Sequence, residues 1–129
     1  MLFRSDLAIQ HLERAVRLSP LDPQRPGMLA AIAAAHFAAG RFDVAASLST
    51  KAMLEQSNNF IAALVAAASN ALAGNLNAAK RAIEPVRASD PDFRIQSVKY
   101  RLPHRQPEVL TRWEDALRKA GDAGIIASL

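Results

Sequence analysis

The residues of this chain that are able to do chemistry are few and poorly spaced for it. His11 and Glu13 are two apart, so on a helix they do not face each other. His36 stands in an alanine-rich run, where it reads as a packing residue that hydrogen-bonds a neighbouring turn, and His104 sits among cations. No histidine pair has the i, i+4 spacing of a helical metal site or the spacing of a zinc motif. Cysteine is absent, which removes thiolate ligands, disulfides and cysteine nucleophiles together. Neither Gly40-Arg41 nor Gly74-Asn75 belongs to a phosphate loop, and no G-x-S-x-G elbow occurs. The adjacent carboxylates Glu114-Asp115 diverge on a helix and read as a solvated face. No catalytic residue, metal or other cofactor is expected.

A second possible chemistry is electrostatic. Residues 1–79 hold 6 Lys/Arg against 5 Asp/Glu, whereas residues 80–119 hold 10 against 6. Lys80, Arg81, Arg87, Arg94, Lys99, Arg101, Arg105 and Arg112 form a basic stretch open to nucleic acid or an acidic protein. Tyr100 is the one aromatic among these cations, which is thin for base stacking. Nucleic-acid binding is therefore the second reading, not the first.

What must position any site is helical. Ala and Leu dominate the apolar half of the composition, and β-branched runs are missing. The N-terminus lacks the apolar core of a signal peptide, and no apolar run reaches the roughly 20 residues needed to span a bilayer. A cytoplasmic domain without a membrane segment is expected.

The first helix reads as Asp6 to Leu18, opened by Ser5 or Asp6 and stopped by Pro20. Its predicted buried stripe is Ala8, Leu12, Ala15 and Val16, with Leu7 at the edge. Helices follow from about Gly27 to Ala39, Phe42 or Asp43 to Gln56, Phe60 to Ala73 and Leu76 to Arg87. Pro85 predicts a kink or an early end near Ile83. Arg94 to Leu102 reads as an extended crossing segment ending at Pro103. The last helix runs from Glu108 to Ala120, with Val109, Leu110, Trp113, Ala116 and Leu117 on its apolar face.

The middle of the chain repeats. A shift of 34 residues places Gly40 on Gly74, Phe42 on Leu76, Ala45 on Ala79 and Ala52 on Val86. It also places Ala33, Ala34 and Ala39 on Ala67, Ala68 and Ala73. Two amphipathic helices per 34-residue unit resemble tetratricopeptide repeats. Leu29, Ile32, Ala33, His36, Gly40, Phe42, Ala45, Ala52 and Ser57 occupy that family's signature positions. In the next copy these are Ala63, Ala66, Ala67, Asn70, Gly74, Leu76, Ala79, Val86 and Pro91. The usual aromatics are replaced by Leu29, His36, Ser49, Ala63 and Asn70, so less apolar area is buried and weaker stability is expected.

The resemblance implies an all-α, right-handed superhelix of antiparallel helix pairs in one domain. Residues 5–22 would be the orphan second helix of a truncated repeat, 26–59 and 60–93 two full repeats, and 94–129 a crossing segment with a capping helix. Arg17 to Pro23, together with the ending Asp90-Pro91-Asp92-Phe93-Arg94 to Pro103, also resembles the repeat region that follows class III adenylate/guanylate cyclase or winged-helix domains in certain bacterial proteins. That implies a regulatory module cut from a larger protein.

By the same resemblance, the first helices of the repeats line a groove. Its expected lining is Ala30, Ala34, Phe37 and Ala38, then Ile61, Leu64, Ala68, Ala71 and Leu72. Members that clamp a C-terminal carboxylate use Lys, Asn and Arg at such positions, so that activity is disfavoured here. An apolar groove suits an amphipathic helix of a protein partner. Equally, the chain itself fills it, through the Trp113 helix or the Ile125-Ile126 tail, or a second copy does so as a homodimer.

Overall fold

The computed structural model describes residues 2–92 and 107–121, and for residues 2–5 the backbone alone. Among these residues the secondary structure is all α: α1 (Leu2–Leu18), α2 (Arg25–Ala38), α3 (Phe42–Glu55), α4 (Phe60–Leu72), α5 (Leu76–Ser89) and α6 (Pro107–Ala120). The expected crossing segment and the Ile125-Ile126 tail lie outside the described residues.

Two glycine turns set the layout. Gly40 has φ 86° and donates its N–H to the Phe37 carbonyl at 3.0 Å, while the Arg41 N–H reaches the His36 carbonyl at 2.9 Å. This crossed pair satisfies carbonyls that the helix end leaves without donors, and the positive φ it needs is cheap only for glycine. Gly74, at φ 91°, repeats the arrangement: it donates to Ala71 at 3.3 Å, and Asn75 donates to Asn70 at 2.8 Å.

The helices that follow also open and close alike. Arg41 (φ −92°, ψ 74°) and Asn75 (φ −100°, ψ 76°) precede α3 and α5. Gln56 (φ −148°, ψ 97°) and Asp90 (φ −146°, ψ 84°) end them. The backbone thus recurs at the 34-residue spacing of the sequence.

Packing explains why alanine is so abundant. Ala33 and Ala45, and one unit on Ala67 and Ala79, are all fully buried. Side chains this small let the α2–α3 and α4–α5 pairs approach closely. At the centre lies α4, which packs on α2, α3, α5 and α6. It is buried from Ala62 through Ala71, as a helix apolar on every side must be. Asn59 holds its start: the side-chain oxygen accepts from the Ala62 N–H at 3.0 Å, and the amide donates to the Pro26 carbonyl at 3.3 Å. Arg25 and Glu55, 3.0 Å apart, tie the start of α2 to the end of α3.

Three sequence expectations fail at the edges. First, α1 begins at Leu2, so Ser5 and Asp6 lie within the helix and do not cap it. Second, Ala8 is exposed and Ile9 is buried in its place, while Leu12, Ala15 and Val16 of the expected stripe are partly covered, as is Glu13. Because α1 packs chiefly on α2 among the described residues, a single ridge is enough, and the larger Ile9 takes the inward position. Third, of the kink or early end expected at Pro85, the early end does not occur, and α5 runs through Pro85 to Ser89. Proline removes the donor to the Arg81 carbonyl, but Arg81 is exposed, and Ala82, Ile83 and Val86 anchor the segment from the buried side.

Candidate helix-docking groove

At the face made by α2 and α4 meet Trp113 and Phe37, the largest fully buried side chains among the described residues. Phe37, near the end of α2, is fully buried between two rings. Phe42 lies 5.5 Å from it, centroid to centroid, and Trp113 of α6 lies 4.2 Å away with the planes tilted by 41°. Aromatic pairs favour such tilted or offset geometry. Helix α6 packs mainly on α4 and lightly on α5, and Trp113 reaches past α4 to touch α2. Val109, Trp113, Ala116, Leu117 and Ala120 are buried at i, i+4, i+7, i+8 and i+11, the stripe of a helix seated in a groove.

Polar contacts fix the seat. Arg112 Nη1 donates to the Ala38 carbonyl at 2.7 Å, and its guanidinium carbon stands 5.8 Å from the Phe42 ring centroid. Two polar atoms in the core find no partner among the described residues: Trp113 Nε1 and Ser69 Oγ. An open cleft of about 460 Å³ runs beside α6, bounded by Leu72, Glu108, Thr111, Arg112 and Asp115 among others.

The expected groove is therefore not open. Ala34, Phe37, Leu64, Ala68 and Ala71 are buried in one apolar cluster with the α6 stripe, and Ala38, Ile61 and Leu72 border it, partly buried. Among the described residues, it is the chain's own Trp113 helix that packs on this face. Ala30, also expected in the lining, packs with Leu29, Ala52 and Ala62 in a second cluster, which Ile61 borders as well. Leu64 is fully buried, so a charge placed there would disrupt the core before it tested any surface.

Among the described residues the basic stretch is divided between α5, with Lys80, Arg81 and Arg87, and α6, with Arg112. Arg112 is committed to Ala38 and Phe42, and Arg87 pairs with Glu84 at 2.8 Å one turn earlier. Lys80 and Arg81 are exposed on α5. Arg94, Lys99, Arg101 and Arg105, with Tyr100 and His104, lie outside the described residues.

His36 hydrogen-bonds the following turn, as its position suggested. Its Nδ1 accepts from Arg41 Nε at 2.8 Å, and Arg41 Nη2 reaches Asp6 of α1 at 3.2 Å. Burial and the Arg41 charge hold the imidazole below its ordinary pKa, against weaker opposite pulls from Glu13 and Asp6. No cluster of three His, Asp or Glu suited to a metal occurs among the described residues.

Sequence reasoning missed the Arg112–Ala38 bond. Counting charges placed Arg112 in a patch, and only the fold reveals that it ends a helix 74 residues away. Set against protein-family models, curated proteins and solved structures, the chain matches none of them.

Proposed function

We propose that this chain is a non-catalytic interaction scaffold of the tetratricopeptide type, a right-handed array whose α2–α4 groove holds an amphipathic helix, within a larger regulatory protein of bacterial, cytoplasmic origin. The observation that carries this reading is the seating of α6, with Trp113 on Phe37 and Arg112 on the Ala38 carbonyl. That helix is an intramolecular example of the ligand class. The 34-residue recurrence of turn geometry and buried alanines supports the array. No helix among the described residues is long and apolar enough to cross a membrane. An electrostatic nucleic-acid role has less support, because Arg112 and Arg87 already serve internal partners.

The test is direct binding. A labelled synthetic peptide spanning residues 107–120 is titrated into the full chain carrying Trp113→Ala, which loosens its own α6. Saturable binding is expected, changing less than about threefold between roughly 50 and 300 mM salt, whereas phosphate-driven binding would fall steeply. Adding Leu72→Glu, at the partly buried groove edge, is expected to abolish it. A peptide that fails to bind at any salt overturns the reading.

A further inference from the structure

Trp113 is the chain's only tryptophan, it is fully buried, and its indole N–H has no acceptor among the described residues. Ser69 Oγ on α4 shares that state. A buried indole N–H ordinarily finds a partner, and one that does not has given up its bond to water for nothing. Helix α6 is otherwise well matched to its seat. Its apolar stripe has the right spacing, and Arg112 supplies a donor that α2 needs. The groove thus holds an occupant with one specific defect.

Resting on the groove reading above, we propose that α6 is a displaceable occupant. The external partner is an amphipathic helix of a different protein, carrying a bulky anchor without a hydrogen-bond donor where α6 carries Trp113. A cationic side chain one residue earlier completes the match. That cation follows from α2 itself. The carbonyls of Ala35, His36 and Phe37 are taken by the N–H groups of Ala39, Arg41 and Gly40, leaving the Ala38 carbonyl to be served by whatever sits in the groove.

The anchor follows from Trp113. A second copy of this chain would bring the same indole and the same defect, so exchanging helices between copies gains nothing. A donor-free helix gains the difference. It needs that advantage, because a tethered helix competes at an effective concentration in the millimolar range.

The experiment compares two peptides covering residues 107–120, one with the native tryptophan and one with benzothienylalanine, a near-isostere lacking the N–H. Each is titrated into the Trp113→Ala chain, with Leu117→Ala as a second loosened chain should the first lose helicity. The donor-free peptide is expected to bind about fivefold or more tightly than the tryptophan peptide. In the native chain, the same donor-free peptide should shift the emission of Trp113 to the red, saturably, as α6 leaves. Replacing the arginine of the peptide by norleucine should weaken it about fivefold.

Equal affinity of the two peptides overturns the proposal and leaves the groove reading standing. An α6-exchanged dimer of the native chain, seen by sedimentation, also overturns it, since the occupant would then be a second copy. Binding of neither peptide removes both the proposal and the reading beneath it.

Discussion

The guanidinium of Arg112 donates to the carbonyl of Ala38 at 2.7 Å, across 74 residues of chain. Ala38 is the last residue of α2, and helix ends leave four carbonyls without intrahelical donors. Three are served locally, at Ala35 by Ala39, at His36 by Arg41 and at Phe37 by Gly40. Arg112 serves the fourth, and it does so with a positive charge where the helix dipole is negative. The glycine turn and α6 therefore complete a single cap from opposite ends of the sequence.

Removing the guanidinium should uncouple the two. Arg112→Met keeps most of the stem but loses the donor and the contact over Phe42, and is expected to cost about 1–3 kcal/mol. Arg112→Lys should recover only part, because an ammonium lacks the planar fork. The urea unfolding midpoint reads both, and an unchanged midpoint for the Met variant would remove Arg112 from the account.

Trp113→Ala is expected to cost about 3–5 kcal/mol of the docking of α6. The loss should be local. Hydrogen exchange in α6 should accelerate, while the α4 amides, held by α2, α3 and α5 as well, keep their protection. Equal loss in α6, α4 and α2 would contradict a helix that leaves on its own.

At Gly40 the cost of a side chain is purely conformational. A Cβ built there meets nothing within 4 Å, yet φ is 86°. Gly40→Val should lower stability by about 1 kcal/mol or more, and Gly40→Asn by less, since asparagine tolerates the left-handed region. A melting temperature unmoved by valine would contradict the cap. The same ordering is expected at Gly74, where φ is 91° and the space is equally open.

These contrasts show what the sequence could carry. Gly40, Gly74 and the alanines at 33, 45, 67 and 79 were legible because each has a local cause, a positive φ or a close helix approach, that recurs at fixed spacing. The inner stripe of α6 was legible for the same reason, since helical periodicity is a property of neighbours. The face of α1 was not. With α2 as its chief neighbour among the described residues, several rotations of α1 bury a similar stripe, and tertiary contact selects Ile9 over Ala8. The early end that Pro85 suggested does not occur, because local propensity omits the anchoring of Ile83 and Val86. The docking of α6 across α2 and α4 has no local signal, as Arg112 reads as one more surface cation until its partner 74 residues away is in place.

His36 links this architecture to pH. Its Nδ1 accepts from Arg41 Nε at 2.8 Å, so the neutral ring carries its proton on Nε2. Protonation would put a second donor opposite the guanidinium. Desolvation first, and then the Arg41 charge, hold the folded pKa below the ordinary 6.5, with Glu13 and Asp6 opposing. Between that depressed value and 6.5 the unfolded chain binds more protons than the folded one, so stability rises with pH across the window. The contribution of His36 is thus complete above 6.5 and is lost as pH falls toward the folded pKa. Because Arg41 also reaches Asp6, the loss should fall first on the contact between α1 and the first helix pair. His36→Asn, the residue found one unit on at Asn70, retains an acceptor that does not titrate. The melting temperature of the native chain should therefore drop more than that of His36→Asn between about pH 7.5 and pH 5. Parallel pH profiles for the two proteins would show that His36 does not titrate in this window, and the Arg41 bridge would then have no part in the acid sensitivity of the fold.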